Sequence, residues 1–295
     1  MNSFVWSIFY VVVVVLSFTM NNWLSMWTML ELTTWVAVVI IVEELSSSEV
    51  MFKFYLVSSL SSMVLLCLWF VSWYPAWWVL FVIMFKLGLP PVHWWMGWIL
   101  KSVSWVNMWF LTVVHKVVPF VVSVLVVDSV LVSVVCMVSI FWSVFSYWNV
   151  SSVFMILFYS SCVHSGWLWL ASSDLGKFVV YYFMYVSVMF IVMYSISGGG
   201  YCDPVVSYVF MLLLGLPTSF LFFSKWAVIT VSLSFVPLLS WLILVVSVVS
   251  LYPYLRVIWG SFVNSFVDLS CCNYVGGVIE YYVVIMHVFG FVYLF

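Results

Sequence analysis

The stretch AWWVLFVIMFKLGLPPVHWWMGWILK, residues 76–101, contains two apolar runs joined by Gly-Leu-Pro-Pro. It is long enough for one membrane-crossing helix, which needs about 20 residues. Proline removes a backbone hydrogen-bond donor and glycine permits a bend, so we expect this helix to break within the membrane. The same tripeptide recurs as Gly215-Leu216-Pro217, inside the apolar run 205–232. The sequence therefore predicts two discontinuous transmembrane helices.

The composition extends this membrane assignment to the rest of the chain. Of the 295 residues, 68% are hydrophobic and 5% are charged, whereas soluble domains are about half apolar and about a quarter charged. Seven basic and nine acidic residues are too few for a nucleic-acid surface or a polybasic lipid-binding face. The six cysteines lack the spacing of a disulfide framework or a metal site, so we expect neither.

Apolar runs of about 20 residues are each interpreted as a helix, because a backbone inside lipid must satisfy its own hydrogen bonds. The sequence predicts an all-α polytopic membrane protein with about eleven transmembrane helices. No connection is long enough for an extramembrane domain. The predicted helices are 3–19, 23–42, 51–73, 76–101, 104–127, 129–147, 152–171, 177–198, 205–232, 235–259 and 273–295.

The two Gly-Leu-Pro breaks fall in predicted helices four and nine, five helices apart. Because five is odd, the second set of helices should enter the membrane from the opposite side. This pattern predicts two inverted five-helix repeats, 1–127 and 128–259, followed by a connecting loop and closing helix at 260–295. The whole chain, 1–295, is expected to form one membrane domain, with a transported ion near its midplane.

Four ionisable residues are predicted to lie deep in the membrane, where a charge costs about 2.5–3.5 kcal/mol or more. Glu31 is near the middle of helix two, Lys86 precedes the first break, Lys116 is in helix five and Lys225 follows the second break. One carboxylate cannot neutralise three lysines. We interpret the four as a proton relay in which pairing between Glu31 and Lys86 is made and broken. The alternative for Glu31 is a structural ion pair.

Two histidines are further candidates. His93 follows the first break and His164 lies at the centre of helix seven. An imidazole suits a proton shuttle, although a packing role is the alternative for each. His115 should point about 100° away from Lys116 on a helix, so we expect it to be structural.

The remaining ionisable residues are weaker candidates. Long basic side chains near predicted span ends can reach the lipid headgroups; these are Lys53, Lys101, Lys177 and Arg256. Glu280 and His287 lie two turns apart in helix eleven and could pair, but their position leaves their role open.

Six segments, in the same order along the chain, resemble the chain 2 family of NADH–ubiquinone oxidoreductase, the antiporter-like, mitochondrially encoded subunits of respiratory complex I. Three differences accompany the resemblance. His115 replaces the family's glutamine, Thr218 replaces its second proline, and its basic residues are absent from 150–157. The matching segments are 27–32, 86–95, 112–120, 159–167, 215–226 and 251–256.

The resemblance implies an antiporter-like fold in the mitochondrial inner membrane, shortened from fourteen helices to eleven. It implies that the membrane neighbours are chains 4 and 4L and accessory subunits. It also implies that NADH, FMN, iron–sulfur clusters and ubiquinone are bound by other subunits, with no cofactor in this chain. The residues that match the family's central proton axis are Glu31, Lys86, Lys116, Lys225, His93 and His164.

Three functions remain open from the sequence. The favoured one is a core membrane subunit of a redox-driven proton pump. A free-standing cation/proton antiporter of the same fold is the first alternative, although eleven helices is short for that group. The second alternative is a structural spacer whose buried lysines carry no protons.

Overall fold

A computed structural model gives the fold, and all regular structure in its described residues is helical, as predicted. The chain divides into two compact units, Met1–Ser139 and Ile140–Phe295. Predicted helix eleven, with Glu280 and His287, lies outside the described residues. The structure describes residues 2–20, 22–42, 48–70, 76–126, 129–148, 150, 152–199, 204–215, 219–235 and 237–267.

The first unit is built from helices that pack on their neighbours in sequence. α2 packs on α1 and α3, and α3 packs on α4 and α5. α4 also packs on α7. The helices are α1 Asn2–Ser17, α2 Trp23–Val42, α3 Ser48–Phe70, α4 Ala76–Leu87, α5 Trp94–Leu100, α6 Trp105–Thr112 and α7 Val117–Val126, and α8 Ser129–Tyr147 begins in this unit.

The second unit has α9 at its centre, since every residue from 156 to 171 is buried. α9 packs on α10, α12 and α14, and α11 packs on α10 and α14. The helices are α9 Val153–Ala171, α10 Leu175–Gly199, α11 Pro204–Leu214, α12 Phe220–Phe235, α13 Pro237–Val249 and α14 Leu251–Val267.

Predicted helix four is broken where the sequence indicated, between α4 and α5. Gly88 has a φ of +62°, a conformation that only glycine adopts without strain. Its amide donates to the Phe85 carbonyl over 3.2 Å, and the Leu89 amide donates to the Met84 carbonyl over 3.0 Å. These two bonds form a Schellman motif that ends α4. The Trp95 indole also donates to the Phe85 carbonyl, over 3.1 Å, so the break keeps this carbonyl satisfied.

The second predicted break also contains a glycine at positive φ. Gly215 has a φ of +69°, and its amide donates to the Leu212 carbonyl over 3.3 Å at the end of α11. Leu216, Pro217 and Thr218 lie outside the described residues, and α12 begins at Phe220. Discontinuity of this helix is therefore present, as predicted.

Predicted helices five and ten are interrupted too, which the sequence analysis did not predict. α6 and α7 are separated by a short 3₁₀ turn, Val114–Lys116, and α13 and α14 are separated at Ser250. Pro119 and Pro253 are each the third residue of the following helix. A proline there removes the donor for the carbonyl four residues earlier, so the preceding helix cannot continue through it.

The two units have matching internal contacts. In the first unit α4, the first half of the broken helix, packs on α7. In the second unit the corresponding half, α11, packs on α14. Inversion of one repeat relative to the other stays a prediction.

Seven helices in the described ranges are long and apolar enough to cross a membrane, and α1, α4 and α12 contribute shorter apolar helices. The chain is therefore a multi-pass membrane protein. The total of eleven spans stays a prediction, because broken helices can be counted in more than one way and residues 273–295 are outside the described part.

Candidate functional site

The Glu31 carboxylate is held between α2 and α3. Glu31 is half-buried, and its Oε1 accepts a hydrogen bond from the Ser62 hydroxyl. Its Oε2 lies 3.4 Å from Thr34 Oγ1, and the same hydroxyl also bonds to the Glu31 carbonyl over 2.8 Å. The Trp27 indole, one turn before Glu31, donates to the Ser62 carbonyl over 2.8 Å and ties the same two helices together. The carboxylate thus has hydroxyl partners in the interior of the first unit.

Lys86 lies in the last turn of α4, one residue before the helix ends. Its side chain is buried, with 3% of the residue exposed. Within the described part of the chain, its Nζ has no hydrogen-bond partner. The negative end of the α4 helix dipole favours a positive charge there. Lys86 therefore lies in the negative potential of the helix end, but its amine has no hydrogen-bond partner in the described residues.

Glu31 and Lys86 interact electrostatically, but no ion pair within 4.0 Å joins them in the described structure. The ion pairs found there are Lys53 with Glu49 at 2.6 Å and Lys177 with Asp174 at 3.9 Å. The carboxylate instead bonds to two hydroxyl groups. Glu31 and Lys86 are therefore within electrostatic range of each other but form no ion pair in the described structure.

The 3₁₀ turn between α6 and α7 carries two buried basic residues. Lys116 is 3% exposed and His115 is 5% exposed. His115 Nδ1 lies 3.3 Å from the Tyr10 hydroxyl, and the Phe54 ring packs edge-on against the imidazole. Lys86 acts electrostatically on His115. The sequence analysis interpreted His115 as structural, and this stays a prediction; the structure places the residue in the same 3₁₀ turn as Lys116.

His93 is the residue immediately before α5 and is half-buried. It shares the α4–α5 break with Lys86 but lies beyond the Schellman motif. The structure thus brings Lys86 into electrostatic range of Glu31 and of His115, while Lys116 and His93 lie in two turns of the same unit.

In the second unit, Lys225 lies against the Gly215 break. A Cβ built on Gly215 would lie 3.1 Å from Lys225 Nζ, so the amine is packed over the glycine backbone. The amine is also 6.0 Å from the Trp167 ring centroid, within cation–π range. The absence of a side chain at Gly215 therefore makes room for the lysine.

His164, on the buried helix α9, is enclosed by tyrosines of α10. It is 1% exposed, its Nδ1 is 2.9 Å from the Tyr181 hydroxyl, and its ring stacks on Tyr185 at 4.8 Å. One turn earlier on α9, Ser160 accepts a 2.6 Å hydrogen bond from the Tyr254 hydroxyl. Hydroxyl groups and one imidazole thus form a polar cluster inside an otherwise apolar unit.

The sequence analysis missed these tyrosines and the hydroxyl partners of Glu31. A signal was available for Tyr181 and Tyr185, because their spacing of four residues places both on one face of a helix. Ser62 and Thr34 offered no comparable signal, since serine and threonine occur throughout the chain.

Metal-binding clusters of three or more His, Cys, Asp or Glu are absent from the described ranges. Cys67, Cys136 and Cys162 form no disulfide within the described residues. Cys202, Cys271 and Cys272 lie outside the described residues.

Comparison with known proteins adds independent information. No protein-family model matches the chain. NADH-ubiquinone oxidoreductase chain 2 of Artemia franciscana is 24% identical over 260 residues, covering 84% of this chain and 86% of the relative. The protein of the same name from Locusta migratoria is 25% identical, covering 84% and 82%. That of Albinaria caerulea is 26% identical, covering 82% and 83%.

Among solved structures, the fold is similar to a chain in respiratory complex I from Thermus thermophilus with bound Aureothin. The TM-score is 0.73 at 18% sequence identity, covering 90% of this chain and 72% of that chain. The structural match confirms the fold, and the curated relatives extend the similarity to sequence. The resemblance indicated by the motifs is therefore confirmed: the chain is similar to NADH-ubiquinone oxidoreductase chain 2 over more than four fifths of its length.

Proposed function

We propose that the chain is a core membrane subunit of NADH:ubiquinone oxidoreductase and contributes a proton-translocation path driven by electron transfer elsewhere in the complex. One observation carries the proton assignment. The Lys86 amine is buried without a hydrogen-bond partner in the described structure, within electrostatic range of Glu31. Such a group is costly to keep in a membrane interior for stability alone, which supports a functional role.

The proposal includes a location, partners and a division of labour. The names of the relatives support the mitochondrial inner membrane as the location and a multi-subunit complex as the setting. Chains 4 and 4L and accessory subunits are the proposed neighbours. NADH, FMN, iron–sulfur clusters and ubiquinone are assigned to other subunits, so this chain carries out no redox step.

In the first unit, the proposed switch is a change of partner by Glu31. The carboxylate is bonded to Ser62 and Thr34 in the described state. When its hydrogen bonds rearrange toward Lys86, the ammonium form of the lysine is stabilised by an opposite charge. When the carboxylate returns to the hydroxyl groups, that stabilisation is lost and the lysine can release a proton. The proposed continuation of this path is Lys116, in the turn between α6 and α7, and His93, in the α4–α5 break.

In the second unit, the proposed carriers are Lys225 and His164. Lys225 lies over the backbone of Gly215, where a small change in the glycine backbone would move the amine. His164 is held by a hydrogen bond to Tyr181 and by stacking on Tyr185. Hydroxyl groups and imidazoles can pass protons along hydrogen bonds without moving far.

Replacement of Lys225 by methionine tests the function. In the complex purified with this chain and reconstituted in vesicles, we expect Lys225→Met to reduce proton translocation at least about tenfold, because a thioether cannot carry a proton. NADH oxidation by quinone should slow with it, since the two processes are coupled. Proton uptake and NADH oxidation are measured together. Lys177→Met is the matched control, because that lysine is partly exposed and near Asp174.

Unchanged turnover and unchanged proton uptake in Lys225→Met would leave only the structural-spacer alternative. Failure of the chain to purify with an NADH-oxidising complex, combined with NADH-independent cation/proton exchange, would favour the free-standing antiporter. The two results are therefore separable.

Replacement of Ser62 by alanine tests the proposed switch. The hydroxyl donates to a carboxylate, and a hydrogen bond to a charged group contributes about 1.5–3 kcal/mol. Without it, Glu31 should favour Lys86, and coupled turnover should fall roughly threefold to tenfold as proton release slows. Ser59→Ala is the matched control on the same helix, because the Ser59 hydroxyl bonds to the Leu56 carbonyl and, within the described residues, not to a carboxylate. Equal rates in the two variants would contradict the switch.

A further inference from the structure

Trp167 lies in the interior of the second unit, on the buried helix α9. It is 1% exposed, and α9 packs on α12, the helix that carries Lys225. Within the described residues, the indole N–H of Trp167 has no hydrogen-bond partner, although a buried indole N–H usually has one. A phenylalanine or leucine would fill the interior without leaving a donor unsatisfied. Packing alone therefore does not explain a tryptophan at this position.

The amine of Lys225 lies over the ring face of Trp167. Its Nζ is 6.0 Å from the ring centroid, at the outer limit of cation–π range. The face of an indole attracts a cation more strongly than the face of tyrosine or phenylalanine, and exclusion of water strengthens the attraction. The lysine side chain also packs against Gly215, where a Cβ would lie 3.1 Å from Nζ and 3.7 Å from Cε. A glycine backbone and an indole ring thus both border the amine.

The charge of Lys225 has no carboxylate partner among the described residues of the second unit. Those residues contain one carboxylate side chain, Asp174, and it lies 3.9 Å from the Lys177 amine. An ammonium in a membrane interior needs a group that compensates for lost water. In the described part of this unit, the geometry provides the ring face of Trp167.

We propose that Trp167 is a positioning residue that binds the protonated form of Lys225 with its ring face, as Glu31 is proposed to do with its carboxylate for Lys86. This inference rests on the proposed function and deepens it, because it names the group that stabilises the charged state of one carrier. The ring quadrupole acts on the ammonium and hardly on the neutral amine. The contact therefore stabilises Lys225 while it holds a proton, and movement of the amine away from the ring removes that stabilisation.

The test compares Trp167→Phe and Trp167→Leu in the assembled complex in vesicles. Phenylalanine keeps a weaker ring face, whereas leucine has none. We expect proton translocation per assembled complex to fall roughly twofold to threefold in Trp167→Phe and about tenfold in Trp167→Leu. The alkaline limb of the pH–rate profile should move to lower pH, by about half a unit and about one unit respectively, because an ammonium without this contact gives up its proton more readily.

Other titratable groups on the helices packed against α12 bear on this readout. α12 packs on α9, α10, α11 and α13; the described side chains of α11 and α13 include no titratable group, whereas α9 and α10 carry tyrosines, Cys162, His164 and Lys177. Lys177 donates to Thr230 of α12 over 3.4 Å. The shift caused by Trp167→Phe is therefore measured again in a Lys177→Met background, where we expect it to be unchanged.

Trp169 provides the matched control on the same helix. It is also 1% exposed, but its side chain leaves α9 about 200° around the helix from that of Trp167. Trp169→Phe and Trp169→Leu remove the same side-chain volume, and we expect them to leave the alkaline limb in place. An unmoved limb in both Trp167 variants, or an equal shift in the Trp169 pair, would overturn the inference. If Trp167→Leu fails to assemble, Trp167→Phe decides between these outcomes.

Lys225→Met separates the inference from the proposed function. If Lys225→Met stops translocation while the Trp167 variants keep the wild-type rate and pH profile, the role of Trp167 is overturned and the proposed function stands. If Lys225→Met has no effect, the proposed function itself fails.

Discussion

Lys86→Met is expected to stop coupled proton translocation and to leave the folded chain as stable as the wild type or more stable. Methionine matches the length of the lysine stem but carries no titratable group. A buried charge carries a desolvation cost of several kcal/mol. The favourable interaction with the end of α4 is worth at most about 2 kcal/mol. The desolvation cost outweighs it, so loss of the amine should not destabilise the fold.

Translocation and stability are to be measured on the same preparation. Proton uptake during NADH oxidation gives the first quantity, and the thermal midpoint of the assembled complex gives the second. Lys53→Met is the matched control, because Lys53 is exposed and paired with Glu49 on the surface of α3. A Lys86→Met complex that pumps normally would contradict the assignment of Lys86 to the relay. A complex that fails to assemble would contradict the stability argument.

Gly88→Ala is expected to lower the stability of the first unit by several kcal/mol. An L-residue at a φ of +62° costs about 1–2 kcal/mol. The added Cβ would also lie 2.7 Å from Met96 Cβ, and overpacking of this kind costs about 1–3 kcal/mol. Because Met96 meets Gly88 with its Cβ rather than a flexible end, the clash is relieved only by moving α5.

The measurement is the amount and thermal midpoint of the assembled complex. Gly260→Ala is the matched control, since a Cβ there meets nothing within 4 Å and the residue lies inside α14. That control should be neutral or slightly stabilising, because alanine is favoured over glycine in a helix by about 1 kcal/mol. Equal stability of the two variants would mean that the break tolerates a side chain, which would contradict the need for glycine at this position.

The two main breaks were predictable because their cause is local. A glycine at positive φ and a proline, which lacks an N–H donor, each change the backbone within one helical turn. Gly88 and Gly215 both have the expected positive φ. The same local chemistry explains the unpredicted breaks before Pro119 and Pro253. The sequence analysis did not predict these two breaks, since proline within the first turn of a helix is common and its effect depends on what precedes it.

The partners of the ionisable groups were not predictable to the same degree. Burial of Lys86 and Lys116 follows from apolar neighbours in the sequence, and both are buried. The bond from Ser62 to Glu31 and the contact between Tyr10 and His115 join residues 31 and 105 positions apart. Such contacts depend on the rotation and register of packed helices, which hydrophobic patterning leaves undefined in a chain that is apolar on nearly all faces.

The short length of α4 and α5 has a consequence for biogenesis. With 12 and 7 residues, they rise about 18 Å and 10 Å at 1.5 Å per residue, whereas the hydrocarbon layer is about 30 Å thick. Neither piece can enter the bilayer alone without leaving its terminal peptide groups unsatisfied. The Trp95 indole donates a hydrogen bond across the break to the Phe85 carbonyl, one of the peptide groups at the end of α4. Insertion of this stretch during synthesis is therefore tied to folding against α3, which leaves the ribosome first and packs on both halves.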